Sequence, residues 1–564
     1  MGEDRPAGEK RGRSRSSVVL LVVLFWILVL GGGALRWWSI RVQRAAIGAA
    51  ASAVADKNAA AGAESASKQR GVRQTVVTTV SPAPLPTALP LRGNEGADAD
   101  GYPLRYVDRP AFRSLLANKH FAELTKYIEQ LQDAFEADPR KELWPMDAGL
   151  AFESAEPELQ ANLDAWVAAS PSSFAPYFAR GNYWTAVGWA RRGAKVASDT
   201  HRDDMATMSA AFDAAVADLD KALAMRPKLV AAHRQRIRIA NARTEEPIKA
   251  SSLEKALAAC PDCFYVRVPY MFSLMPRWGG SSAAMLAFAQ AAPVAKNRRL
   301  RLLRGYVDYD QATGLGMNRD SAEARAAIDR ACAVGDHWEF LVERSRLRRS
   351  TKIDNVAALA DVNRAMELRP GHPEILFERA IVENDLQHWE GSGRDLLEGL
   401  RVDPTNSAAR NVYSVIVNNL AVQGSRHHLA GDRDAAIRVL ELAEDLSPGD
   451  AKVNGVLRTA VLGKAPWTPE AIADLERRVT AAPDDFRLHQ QLDYVLGARG
   501  EYARIIPMWT AYLERHPEDG RAWVERGGTW FHLKDLAKAL DDAQKGCDLG
   551  VSEGCGLVAR FKKR

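Results

Sequence analysis

AAIRVLELAEDLSP, residues 435–448, places Ala436, Leu440 and Ala443 twelve, eight and five residues before a proline. The same offsets recur in AAVADLDKALAMRP (214–227), with Ala215, Leu219 and Ala222, and in ALADVNRAMELRP (358–370), with Ala358, Val362 and Ala365. Steps of four and three residues put all three side chains on one face of a helix. Small side chains on that face let a second helix approach closely, and the larger one fills the gap between them. Proline cannot continue a helix, so each motif reads as a helix end followed by a turn.

The prolines themselves are periodic. Pro227 to Pro261, Pro370 to Pro404 and Pro483 to Pro517 are each 34 residues apart, Pro448 to Pro483 is 35, and Pro404 to Pro448 is 44. Near the end, Trp523, Gly527, Trp530, Ala539 and Ala543 resemble the W, G, Y, A signature of the tetratricopeptide repeat, whose period is 34 residues. The resemblance implies an all-α, TPR-like α-solenoid of helix-turn-helix units. One such hairpin cannot bury its own apolar face, so units stack into a superhelix with a concave surface. The 44-residue interval predicts about ten extra residues between Ser407 and Ala435, as lengthened helices or a loop around Arg426, His427 and His428.

The chain has 564 residues, 47% of them hydrophobic and 26% charged, a composition that excludes wholesale disorder. Its formal charge of +5 is accounted for by +2 in residues 1–17 and +3 in residues 36–44. Residues 45–564 therefore carry no net charge and lack the cationic excess that nucleic-acid binding requires. Residues 18–35, VVLLVVLFWILVLGGGAL, have no charged side chain and reach about 27 Å as a helix, enough to nearly span a bilayer core. The alternative is a signal peptide cut near Ala49–Ala53, but the run is longer than the usual apolar region and Arg36, Trp37 and Trp38 follow it. A single-pass anchor is therefore expected. Five Lys or Arg before the run against three after it place the N-terminus in the cytoplasm. In a bacterial inner membrane, the repeats then face the periplasm or the exterior.

The expected organisation is a basic tail (1–17), the anchor (18–35), an Ala- and Pro-rich stalk and linker (36–101), an irregular helical domain (102–350) and TPR-like repeats (351–564). In the irregular domain, HFAELTKYIEQLQDAFEADPRKE (120–142), FARGNYWTAVGWARRG (178–193) and MPRWGGS (275–281) resemble a bacterial family known only as a domain of unknown function, number 4034 of that series. The resemblance covers about residues 105–300 and implies a helical module with no known reaction. Gly279-Gly280 after Pro276 marks a helix break. The neighbouring Trp278 is either a packing plug or, with Arg277, a ledge for a ligand.

Five cysteines stand at 260, 263, 332, 547 and 555. Cys547 and Cys555 resemble the spacing in cysteine-bearing Sel-type repeats, which implies a disulfide across a helical hairpin. Cys260-Pro261-Asp262-Cys263 lacks a preceding strand for redox chemistry and further ligands for zinc, so a structural thiol pair or local disulfide is expected. The motifs of P-loops, nucleophile elbows, zincins and dinucleotide folds are absent. No catalytic residue, cofactor or metal ligand is assigned.

The leading expectation is a scaffold or adaptor binding a protein or peptide in its groove. In tetratricopeptide proteins the first helix of each pair lines that groove. Carried onto this chain, the pattern points inward Glu374, Phe377, Asn384 and Asp385, then Asn411, Asn418 and Asn419, then Arg487, Gln490 and Tyr494. The asparagines can hold an extended backbone or bond within the array. The alternative is an envelope enzyme, or a subunit of one, with its site near Trp278. In a cysteine-accessibility assay on intact cells, cysteines placed in the folded body are expected to react from outside the inner membrane; a body shielded by that membrane overturns both the topology and the disulfide expectation.

Overall fold

The structure, a computed structural model, describes residues 85–192, 201–314, 321–350, 354–463 and 467–562, all within one compact unit, Gln74–Arg564. The basic tail, the anchor at 18–35 and the stalk up to residue 84 lie outside the described residues. Among the described residues no helix is long and apolar enough to cross a membrane.

Residues 85–101, assigned above to the linker, are part of the fold. β1 (Leu91–Arg92) pairs antiparallel with β2 (Tyr106–Val107), and Leu89 and Leu91 pack on the core. Asp98 accepts N–H groups from Asp100 and Tyr102 at 2.9 and 3.0 Å and pairs with Arg299, so this segment is clamped rather than extended.

The rest is helical. α1 (Arg109–Ala117), α2 (Phe121–Ala137), α3 (Leu143–Leu150) and α4 (Pro157–Ala169) form an irregular lead-in. Hairpins follow: α5 (Phe174–Arg192) with α6 (Arg202–Met225), then α7 (Val230–Arg243) with α8 (Glu246–Ala259). The short α9 (Arg267–Ser273) and α10 (Ser282–Gln290) interrupt the series. It resumes with α11 (Gly305–Gly314) and α12 (Ala322–Val334), α13 (Trp338–Ser350) and α14 (Asn355–Leu368), α15 (Pro373–Asp385) and α16 (Trp389–Val402), α17 (Ser407–Ala430) and α18 (Arg433–Leu446). The remaining helices are α19 (Ala451–Leu462), α20 (Pro469–Ala481), α21 (Phe486–Ala498), α22 (Tyr502–Arg515), α23 (Gly520–His532), α24 (Leu536–Asp548) and α25 (Ser552–Phe561). The odd-numbered helices α13, α15, α17, α19, α21 and α23 touch in succession, which makes them the inner layer of a solenoid. The long 44-residue interval is a lengthened helix, since α17 has 24 residues where α15 and α21 have 13.

Two devices make the hairpins. One is the small-residue face: Ala215, Leu219 and Ala222 of α6 are fully buried, and a side chain at Gly181 of α5 would lie 2.9 Å from Leu219. The other is an arginine on the first helix gripping an aspartate on the second through two hydrogen bonds. Arg180–Asp218 (2.8 and 2.9 Å), Arg344–Asp361 (3.0 and 2.6 Å), Arg379–Asp395 (2.6 and 2.7 Å) and Arg526–Asp542 (2.8 and 2.9 Å) repeat this clasp. Each aspartate directly precedes the central packing residue of the small-residue face: Leu219, Val362, Leu396 or Ala543.

Two disulfides are present, Cys260–Cys263 in the turn after α8 and Cys547–Cys555 between α24 and α25; Cys332 is free and buried. Both sulfurs of the first pair are in the core, and Arg267 donates to the carbonyls of Cys263 and Pro261 across that turn.

The first core runs unbroken from Tyr102 to Ile375, across the boundary expected near 350. Its ends meet. Asp147 of α3 accepts Nη1 and Nη2 of Arg369 at 2.8 and 2.6 Å and Nη2 of Arg109 at 2.7 Å, and Arg92 pairs with Glu398 at 2.5 Å. Gly371, with φ +67°, tucks beneath the Tyr106 ring where any side chain would clash. Burial opposes ionisation of Asp147, but Arg369 and Arg109 hold its carboxyl well below the usual range. The first superhelical turn is thereby closed on itself. Asp147→Ala strands two guanidinium groups, and is expected to lower the unfolding free energy by about 3–5 kcal/mol in urea titrations. A loss under about 1 kcal/mol shows that the closure does not hold the turn.

Candidate functional site

The closed turn surrounds a cavity of about 540 Å³. α1 contributes Arg109 and Arg113; the end of α3 and the loop after it contribute Leu150 and Glu153; α5 contributes Trp189. α7 presents Arg234, Arg238 and Asn241, at steps of four and three residues, along one stripe of a helix otherwise buried through Val230, Ala231, Ile237 and Ala240. Val268, Pro269 and Phe272 of α9, then Trp278, continue the wall. Trp338 and Glu339 of α13, His372 before α15, Pro373 and Glu374 of α15, and Val402 with Asp403 complete it.

Most of the wall's charge is balanced in place. Arg238 Nη1 donates to both Glu153 oxygens at 2.8 and 2.9 Å and to Gln235 Oε1 at 2.7 Å. Burial disfavours the Glu153 carboxylate, yet Arg238 and Gln235 keep it below the ordinary range. Arg109 is taken by Asp147, and Glu374 by Arg346 at 2.8 Å. Arg113 donates Nε to the Ala151 carbonyl at 2.6 Å and has no carboxylate in ion-pair reach among the described residues; burial lowers its affinity for the proton. Arg234 has neither a hydrogen bond nor an ion pair among the described residues, and burial together with Arg238 brings its guanidinium down to about 10. The indole Nε1 of Trp189 and Nδ1 of His372 are buried without partners among the described residues. His372 packs at a tilt against Trp338, 4.2 Å between ring centres with 40° between the planes, and is kept neutral by burial and by Arg369 and Arg109.

Of the expected ledge, Trp278 is on this wall, 38% exposed, with Arg192 over its ring at 5.7 Å. Arg277 is not. Its guanidinium turns to Asp310 at 2.6 Å and Thr313 at 2.5 Å, so it serves packing between α9 and α11 instead of a ligand.

Of the expected groove, Glu374 joins the cavity, whereas Asp385 and Asn411 are simply exposed. Asn418 accepts from Lys452 Nζ at 2.7 Å beside a smaller cavity of about 130 Å³, and Asn419 donates to Asn384 at 2.8 Å, a bond within the array. Four assignments need correction. Phe377 and Tyr494, 2% and 7% exposed, belong to the core. Gln490 is buried and donates to Glu444 and Glu525 at 3.0 and 3.1 Å, while Arg487 pairs with Glu444 and Asp445. The physical reason is that an inner helix touches its own partner and both neighbouring inner helices, which leaves a stripe narrower than its inward half.

Arg113, Arg234, Arg238, Trp189, Trp338, Glu339 and His372 were not singled out from sequence. Two signals pointed to them. One is the polar stripe of α7. The other is the turn: Pro404, Pro448, Pro483 and Pro517 are each followed two residues later by a capping Asn406, Asp450, Asp485 or Asp519, whereas Pro370 is followed by His372, which caps nothing with its side chain.

Residues 108–249 and 240–301 match the family described as a domain of unknown function, DUF4034. The match supplies the cavity wall from Arg109 to Trp278, and the repeats supply it from Trp338 to Asp403. Solved structures similar to the chain include the tetratricopeptide domain of P58(IPK), at 14% identity over 78% of this chain and 98% of that one, with a TM-score of 0.21. A tetratricopeptide repeat protein of Parabacteroides merdae is 15% identical over 58% of this chain and 99% of its own, with a TM-score of 0.19. Yeast Tom70 is 10% identical over 81% and 94%, with a TM-score of 0.23. No curated protein matches the chain.

Glu339 gives the wall a titration near neutrality. Burial raises its carboxyl to about 7, against a hydrogen bond from the Tyr306 hydroxyl at 2.6 Å, with Glu374 adding to the rise and Arg234 opposing it. The unfolded value is about 4.3, so between these values the folded protein holds a proton that the unfolded chain has released. Stability is therefore lost as pH rises through that window. Glu339→Gln is expected to melt higher than wild type at about pH 8, by on the order of 3 kcal/mol, with the gap closing toward about pH 4. An unchanged gap across that range in thermal melts assigns the titration elsewhere.

Proposed function

We propose that the protein is a membrane-tethered helical-repeat scaffold that receives a segment of a protein or peptide partner in the cavity of its closed superhelical turn. The observation carrying this reading is the cavity itself. About 540 Å³, with Trp189, Trp278 and Trp338 on its wall, is in the range of sites that bury a ligand's side chains or terminus. The remaining inner surface, where Asn418 and Asn419 lie, is a secondary contact face. The apolar run at 18–35 is the tether and the segment up to residue 84 its stalk, which lets the body search the adjacent surface. Two disulfides in the body support an oxidising compartment outside the cytoplasm. Residues 85–350 and the repeats act as one binding unit, because both build the wall.

A second reading, an enzyme acting on envelope material, draws on Glu339, whose carboxyl near neutrality on a cavity wall suits proton transfer. It predicts that Glu339→Gln stops conversion of a bound molecule without weakening its capture.

A photo-crosslinking residue at Asn241 in the full chain, in intact membranes, is expected to trap a partner that competes for the cavity. The same partner is expected to be lost when Trp338→Ala and Trp278→Ala remove the aromatic wall, and retained in Asn418→Ala/Asn419→Ala. A partner trapped from position 418 and indifferent to the tryptophans overturns the cavity assignment in favour of the open face.

A further inference from the structure

We infer that the cavity is an oxyanion site: it takes a carboxylate or phosphoryl group of the bound molecule, held by the guanidinium group of Arg234. This rests on the reading of the cavity as the binding site and names the chemistry that fills it.

The inference begins with how the rest of the molecule treats arginine. Arg180, Arg344, Arg379 and Arg526 each grip an aspartate through two hydrogen bonds, and Arg369 does so with Asp147. Taking a guanidinium out of water is costly unless an anion meets it, which is why those pairs are complete. Arg234 departs from the pattern on the cavity wall. The carboxylates that it feels are Glu153, Glu339 and Asp147; Glu153 is occupied by Arg238, Asp147 by Arg369 and Arg109, and Glu339 receives the Tyr306 hydroxyl. Arg113 feels Glu156 and Asp403 but pairs with neither, and its one hydrogen bond is to a backbone carbonyl.

A guanidinium keeps its charge under any physiological condition, so Arg234 presents five N–H donors with no protein acceptor among the described residues. Trp189, elsewhere on the lining, has its Nε1 buried with no acceptor among the described residues. A guanidinium on a cavity wall with no acceptor among the described residues specifies an acceptor of negative charge. The fork geometry of guanidinium suits a carboxylate or a phosphoryl group equally. Trp278 and Trp338 leave apolar wall for whatever carries that group.

The test titrates the purified full chain with sodium pyrophosphate and, separately, with citrate, at constant ionic strength, following heat and tryptophan fluorescence. Sodium chloride is the blank. One saturable site is expected for at least one of the two, and which one responds identifies the oxyanion as phosphoryl or carboxylate. Arg234→Met is expected to weaken it about tenfold or more, equivalent to the loss of one charge-assisted pair. Arg234→Lys, which keeps the charge without the fork, recovers part of the affinity. A structural arginine lowers stability when removed; an unpaired one does not, so Arg234→Met is expected to melt at or above the wild-type temperature. Equal affinity in wild type and Arg234→Met, or a response no greater than that to chloride, overturns the inference. If oxyanions fail while the Asn241 crosslink persists, the anion chemistry falls and the scaffold reading stands. If oxyanions bind but leave the crosslinked partner in place, the anion site stands and the scaffold reading of the cavity falls.

Discussion

Asp147 joins two parts of the chain separated by 222 residues, and the geometry of the amino-terminal half depends on it. A buried carboxylate is stable only when both oxygens are fully engaged, and here three N–H groups from two arginines engage them. Stacked hairpins by themselves give an open superhelix whose inner surface is a groove. Fastening α3 to the turn before α15 turns that groove into a half-open cavity. The exposed pair Arg92–Glu398 adds little energy, but the close seat of Gly371 beneath Tyr106 fixes where the two ends meet.

The hairpins use the same chemistry at shorter range. Apolar faces supply most of the stabilisation but little direction, because a Leu or Ala packs acceptably over a range of helix rotations. A guanidinium meeting a carboxylate in two parallel hydrogen bonds allows much less freedom. Placing the aspartate one residue before the central packing side chain ties the polar clasp to the apolar contact, so both select one crossing. In a molecule organised this way an arginine without a paired acid has a desolvation cost that more distant carboxylates such as Glu153, Glu339 and Asp147 offset only in part. Arg234 carries that cost on the wall of the 540 Å³ cavity, which is where function and stability are expected to conflict.

What could be read from the residues follows from what is local. The 34-residue recurrence of proline and the Ala–Leu–Ala offsets are properties of single hairpins, so the all-helical repeat architecture was legible, as was the likeness of 120–281 to the family matched at 108–301. Closure was not legible, because an Asp and an Arg 222 residues apart leave no period behind. The groove residues failed for a third reason. Knowing that Phe377 and Tyr494 are on inner helices leaves open the rotation of those helices, and a side chain a fraction of a turn from the free stripe is in the core. Trp278 was found because a Pro and two glycines mark its turn, while the adjacent Arg277 turned to Asp310. Arg234 and Arg238 carried a visible helical stripe, but its meaning required knowing what faced it.

The cavity also bears on how the two recognisable parts of the chain relate. The segment that matches the domain of unknown function ends at residue 301, yet the core beneath it continues to Ile375 and the wall to Asp403. Neither part encloses the space without the other. The repeat that closes the ring also departs from those that follow it, with His372 where Asp450, Asp485 and Asp519 cap their helices. A capping aspartate there would have brought a carboxylate to the wall, near Arg109 and Arg369, and competed with Asp147 for them. A neutral histidine tilted against Trp338 avoids this and leaves the wall without that negative charge. The change from a capping carboxylate to a neutral ring thus serves closure and cavity together: Asp147 keeps its two arginines, and no further carboxylate is brought to the wall that Arg234 lines.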